Sequence, residues 1–101
     1  MAVTRQVAFR TQRVTAPDLR DGRIRIPCTS TASTKSLFPA TRATVALVLR
    51  GRSMRCLWNP RMGPDRERSG VLRVGPVLRD LVSEDEVLTA SPSDHGTVRI
   101  N

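Results

Sequence analysis

Residues 43–58, ATVALVLRGRSMRCLW, place large apolar side chains at every second position on both sides of a glycine, and this is the clearest hairpin signal in the chain. Alternation with period two puts Val45, Leu47 and Leu49 on one face of an outgoing strand. Met54, Cys56 and Trp58 then share one face of the return. Gly51-Arg52 can supply a tight turn of the II′ type, so the stretch predicts a β-hairpin with one buried face.

The rest of the chain follows the same period. RQVAFRTQRVT (5–15) predicts a half-buried first strand, and APDLRDG (16–22) carries turn residues, Pro17, Asp18, Asp21 and Gly22. RIRIP (23–27) is a short strand with Ile24 and Ile26 on one face and Arg23 and Arg25 on the other. The Ser/Thr-rich 28–39 segment allows a short helix near Ser33 to Phe38, stopped by Pro39. Past Trp58 comes a charged loop through Pro60, Gly63 and Pro64. GVLRVG (70–75) predicts a strand, and PVLRDLV (76–82) a second short helix opened by Pro76. EVLTA (86–90), the turn SPSDHG (91–96) and TVRI (97–100) close the chain. Seven short strands and two brief helices in one domain of 101 residues predict a mainly β fold, a small closed or partly open barrel.

Composition says what fills and what surrounds it. The aromatics are Phe9, Phe38 and Trp58 alone, so aliphatic side chains must make the core. Of seventeen basic residues sixteen are arginine, and the net charge is +8. That charge is uneven: residues 1–61 carry +10 and residues 62–101 carry −2. Arginine makes bidentate contacts with phosphate and with guanine edges, so the expected partner is a polyanion, nucleic acid ahead of membrane. No apolar run approaches a membrane span or a signal-peptide core, and no membrane association is expected. The acid-free start is read as a strand rather than a transit peptide, because Val7 and Phe9 alternate with polar residues. The expected location is the cytoplasm, with the nucleoid or nucleus as the site of action.

Catalysis has little to stand on. Cys28 and Cys56 form no CxxC pair and the single histidine, His95, cannot complete a usual zinc site with them. Ser93, Asp94 and His95 are neighbours in sequence, which is not how a triad is assembled. No phosphate-cradling loop or paired-carboxylate site stands out. The chain is therefore expected not to be an enzyme and to need neither cofactor nor metal.

The order of landmarks adds specificity. A turn with an Asp precedes RIRIP, then a segment closing in LFP, then a hairpin returning through Trp58. A charged loop leads into GVLRVG, a short helix and the acidic turn SEDEVL. Pro27, Phe38-Pro39, Trp58, Val71-Leu72, Gly75 and Glu86-Val87-Leu88 occupy places that resemble the DNA-binding pseudobarrel family. That family includes plant B-three transcription-factor domains and the effector domains of EcoRII-type restriction endonucleases. The resemblance spans roughly residues 7–100, and the order of weak motifs carries it. Two places depart: Gly75-Pro76 stands where the family has Gly-Trp, and Ser83-Glu84-Asp85 where it has Gly-Asp.

The resemblance implies a seven-stranded open β-barrel that binds double-stranded DNA by two arms in the major groove. The first arm would be Thr15 to Arg25, placing Arg20, Arg23 and Arg25 at phosphates. The second would run from Asn59 to Arg73 and include Arg61, Asp65, Arg66, Glu67, Arg68 and Arg73. There arginine would take guanine O6 and N7 and an acid would accept from cytosine N4. Asn59 could bond adenine or cap the turn, and Trp58 is expected in the core. Glu84, Asp85 and Glu86 are expected in a solvated turn away from the DNA. The role would be transcription regulation or restriction, the latter through a separate catalytic or regulatory partner. The competing readings are a small barrel binding single-stranded nucleic acid or RNA, and a basic protein-interaction module.

Overall fold

The computed structural model describes residues 8–27, 38, 41–60, 70–93 and 97–101. Its strands are β1 (Phe9–Arg10), β2 (Arg23–Ile26), β3 (Ala43–Leu49), β4 (Arg52–Asn59), β5 (Gly70–Arg73), β6 (Thr89–Pro92) and β7 (Val98–Ile100). Two short helices accompany them, α1 (Ala16–Asp21) and α2 (Leu78–Leu81). All strands lie in one sheet in the order β1-β6-β7-β3-β4-β5-β2. Every pairing is antiparallel except β3 with β7. The mainly β, open barrel-like fold read from the sequence is therefore present.

The strand count is corrected. Only β1 falls short of three residues, so among the described residues six strands carry the sheet and β1 is a two-residue pairing with β6. The alternation over 5–15 suggested one long first strand. Instead, residues 11–14 hydrogen-bond in both directions. The Thr11 N–H donates to Leu88 O at 2.8 Å and the Val14 N–H to Glu86 O at 2.8 Å, while the Gln12 N–H donates to Arg25 O at 3.0 Å. The segment thus spans from the approach to β6 across to the edge strand β2 and curls the sheet. Backbone groups of a segment between two edges have to be satisfied by both.

The expected turn at 16–22 is a helix. Thr15 is its N-cap: its hydroxyl accepts from the Asp18 N–H, and the Asp18 carboxylate accepts from the Thr15 N–H at 3.0 Å. This reciprocal pair satisfies two amide donors that a helix start leaves open. Pro17 is tolerated in the first turn, and Gly22 ends the helix in the left-handed region at φ 70°. The Gly22 carbonyl accepts from the N–H groups of Val74 (2.7 Å) and Gly75 (2.9 Å), tying the helix end to the exit of β5.

The hairpin β3–β4 keeps its predicted alternation but shifts its turn by one residue. Leu49 pairs with Arg52, so the loop is Arg50-Gly51, with φ of 49° and 86°. Two positive φ values belong to a I′ turn, not the II′ turn expected. An arginine in that conformation is held by its side chain. Its guanidinium donates to Leu81 O at 2.9 Å and pairs with both carboxylate oxygens of Glu86, at 2.7 and 3.1 Å. Glu86 also accepts from the Ser83 N–H. It is thus a structural partner of the hairpin within a partly exposed turn, and the Arg50 hydrogen bonds hold its carboxyl below the usual range. β6 begins three residues later than expected, and Ser91 and Pro92 belong to it rather than to a turn.

The core is aliphatic, as the aromatic-poor composition requires, with Ile24, Ile26, Leu47, Leu49, Leu72 and Ile100 among its fully enclosed side chains. Trp58, 1% exposed, stacks on Phe38 with ring centroids 4.5 Å apart. Cys56 is also inside, where burial pushes its thiol up to about 11. The thiolate is the reactive form. At pH 7.5 Cys56 is therefore expected to resist iodoacetamide in the folded protein and react fully in denaturant, as peptide mass spectrometry would show. Rapid labelling in the native state would contradict the burial. The helix expected at Ser33 to Phe38 lies outside the described residues except for Phe38.

Candidate nucleic-acid interface

Strand alternation turns one face of the sheet outward, and register decides which outward residues meet. Arg23 on β2 lies opposite Arg73 on β5. Arg73 lies opposite Leu57 on β4, and Leu57 opposite Thr44 on β3. One row across four strands therefore reads Arg23, Arg73, Leu57, Thr44. The next row on this face runs from Arg25 through the buried Val71 to Asn59. Arg42, exposed, stands at the entry to β3. Arg23, Arg42, Thr44, Leu57, Asn59 and Arg73 line a groove of about 570 Å³ on this face.

The arginines differ in what they already touch. Arg23 donates from Nε to Asp18 Oδ1 at 2.8 Å and Arg25 from Nε to Asp18 Oδ2 at 3.1 Å. Arg25 also donates from Nη2 to Arg13 O at 2.9 Å. Arg23 comes within 3.6 Å of Asp21, and Arg20, the most exposed of the three, within 3.7 Å of the same carboxylate. Asp18 is buried. Burial by itself would raise its pKa, but the hydrogen bonds from Arg23, from the Thr15 backbone and from Arg25 prevail and hold the carboxyl below its ordinary 3.8.

Arg42 and Arg73 form no ion pair among the described residues. Two guanidinium groups directly opposite each other on a sheet repel. Asp18 and Asp21 offset the charge of Arg23, which leaves the positive potential of the groove to Arg42 and Arg73.

Of the residues singled out in sequence, Arg23, Arg25, Asn59 and Arg73 are thus brought onto one surface from β2, β4 and β5. Asn59 is the last residue of β4 rather than a turn cap. Arg20 sits apart, in the last turn of α1. Arg61, Asp65, Arg66, Glu67 and Arg68, like His95 and Cys28, lie outside the described residues. The chain leaves the sheet at Asn59 and returns at Gly70, beside the groove, since Asn59 pairs with Val71. Arg42, Thr44 and Leu57 were not singled out in sequence, although hairpin alternation does mark 44 and 57 as outward.

Trp58 and Phe38 are buried against each other, so neither offers a stacking platform. Among the described residues no group of three His, Cys, Asp or Glu side chains could hold a metal ion, and no helix is long and apolar enough to cross a membrane. No protein-family model matches the chain, and no curated protein matches its sequence.

Proposed function

We propose that the chain binds double-stranded DNA in a sequence-selective way, with the groove face of β2, β5, β4 and β3 as the contact surface. The observation that carries this is the groove itself, where Arg42 and Arg73 have no acidic partner among the described residues and Asn59 and Thr44 stand beside them. Guanidinium groups position a protein on phosphates, and Asn and Thr side chains bond base edges. The resemblance to the DNA-binding pseudobarrel family supports the same partner. Arg23 and Arg25 of the first implied arm are paired in register with β5, which supports a single contact surface. Arg61, Asp65, Arg66, Glu67 and Arg68 enter the proposal from the sequence alone, as the selective loop between β4 and β5. On this reading the domain is a non-enzymatic reader that serves a regulator or a restriction system, acting on DNA in the nucleoid or nucleus.

The test is titration against random duplex, single-stranded and RNA pools at moderate salt, followed by selection from the duplex pool. Duplex preference and enrichment of a short motif are expected. A tie among the pools, or no motif, rejects the proposal; preference for single strands or RNA favours the small-barrel alternative. The double variant Arg42→Ala/Arg73→Ala is expected to fold normally and to lose about 10- to 30-fold in duplex affinity. The slope of log affinity against log salt should fall by about 2. An unchanged slope would put the contact surface elsewhere.

A further inference from the structure

The outward face of β4 carries one side chain that its neighbours do not explain. Ser53, Arg55 and Asn59 take outward positions with polar groups, yet position 57 among them is leucine and is 63% exposed. A single exposed leucine is ordinary on a protein surface. Its setting here is not. Leu57 is in register between Thr44 and Arg73, so it lies within the sheet and not at a loop tip. It lines the groove whose arginines are Arg23, Arg42 and Arg73. Strands stand roughly 5 Å apart, so an arginine-bearing strand adjoins the leucine on one side and the Arg42-led β3 on the other. An apolar floor with cations on both sides fits a ligand that offers apolar surface between anions.

We propose that Leu57 is a specificity-determining residue that packs on the C5-methyl group of a pyrimidine in the major groove, with Arg42 and Arg73 on the flanking phosphates. The inference rests on the duplex-binding reading above and adds what the surface selects. The major groove displays this methyl group on thymine, between two lines of phosphates, whereas the minor groove offers no equivalent apolar contact. 5-Methylcytosine presents the same methyl in the same groove, so the chemistry recognised is shared by the two bases. An acidic amphipathic peptide also combines apolar and anionic groups, but it does not bring anions regularly to both sides of one small apolar group.

Duplexes carrying the selected motif provide the probes. In one series each thymine is replaced in turn by deoxyuridine, which removes the methyl group alone. In a second series each cytosine is replaced by 5-methylcytosine. Leu57→Ala and Leu57→Ser leave the core intact, and thermal unfolding is expected to match the native chain. The native chain is expected to lose about fourfold in affinity at one thymine position, or to gain about fourfold at one cytosine position. Both variants should be indifferent to the methyl group at that position. The series that responds identifies the base. Equal affinity with and without the methyl at every position overturns the proposal and leaves duplex binding intact, as does a methyl effect that persists in both variants. Absence of any duplex binding rejects the underlying reading and this inference with it. Leu57-dependent binding of an acidic peptide without duplex binding would assign the groove to a protein partner.

Discussion

Gly70→Ala is expected to unfold much of the population at temperatures the native chain tolerates. A Cβ at position 70 would overlap Cη2 of Trp58 and come within 2.7 Å of Cζ3 and 2.9 Å of Cζ2. The indole has little room to retreat, since it is 1% exposed and stacked on Phe38. Forcing extra volume into a filled core costs about 1–3 kcal/mol and at times more. Three ring atoms meet the new carbon here, so about 3 kcal/mol is the expected loss. Small domains hold only about 5–15 kcal/mol in total. For a chain this size the change corresponds to a drop of roughly 15 °C in Tm. Thermal unfolding followed by circular dichroism reads it directly. Trp58→Phe removes the atoms that clash, so the double variant should lose less than the sum of the two single losses. A native Tm for Gly70→Ala, or strict additivity, would show that the indole can move aside. The consequence reaches the proposed contact surface, because Trp58 ends near Gly70 where the chain leaves β4 and enters β5.

The sequence was most legible where one local rule decided the outcome. Alternation alone identifies the hairpin faces of β3 and β4, the RIRI strand and the outward direction of Arg23 and Arg25. Local rules in competition were harder. Residues 16–22 hold Pro, two Asp and Gly, which mark a turn, but Thr15 and Asp18 also have the spacing of a capping box. In a helix of six residues the two caps make up most of the element, so cap and turn signals look alike. The segment 11–14 shows the alternation of a strand, yet alternation cannot say that successive amides would serve two different edges. Long-range register was not legible at all. Nothing within residues 23 or 73 announces that these arginines end up opposite each other across fifty positions of chain, and the groove depends on that pairing. Leu57 lay in plain view as an outward leucine, but it gains meaning only once Arg73 and Thr44 are its neighbours.

Asp18→Asn is expected to cost about 2–4 kcal/mol at neutral pH, and the cost should disappear in acid. Each carboxylate oxygen accepts from one guanidinium, Arg23 at 2.8 Å and Arg25 at 3.1 Å, and Oδ2 also accepts from the Thr15 N–H at 3.0 Å. An amide keeps the shape but replaces one acceptor with a donor, which then faces donors. Breaking a fully buried pair costs about 3–5 kcal/mol. Arg23 and Arg25 keep 32% and 28% of their side chains in solvent, which lowers the figure. Because the folded-state pKa of Asp18 lies below its ordinary 3.8, its contribution is complete above that value and fades as pH falls through the folded-state pKa. The stability gap between the native chain and Asp18→Asn should therefore be constant from pH 7 to about 5 and close progressively below about 4. Urea unfolding across that range measures it, and a gap that stays constant to pH 2.5 would mean that the carboxylate charge is not what stabilises. The same geometry limits what an arginine deletion can reveal. Removing Arg23 or Arg25 strips fold stability and surface charge together, whereas Arg42 and Arg73 have no acidic partner among the described residues. Loss of DNA affinity at the first pair would be ambiguous, so Arg42 and Arg73 are the decisive test of the proposed contact surface.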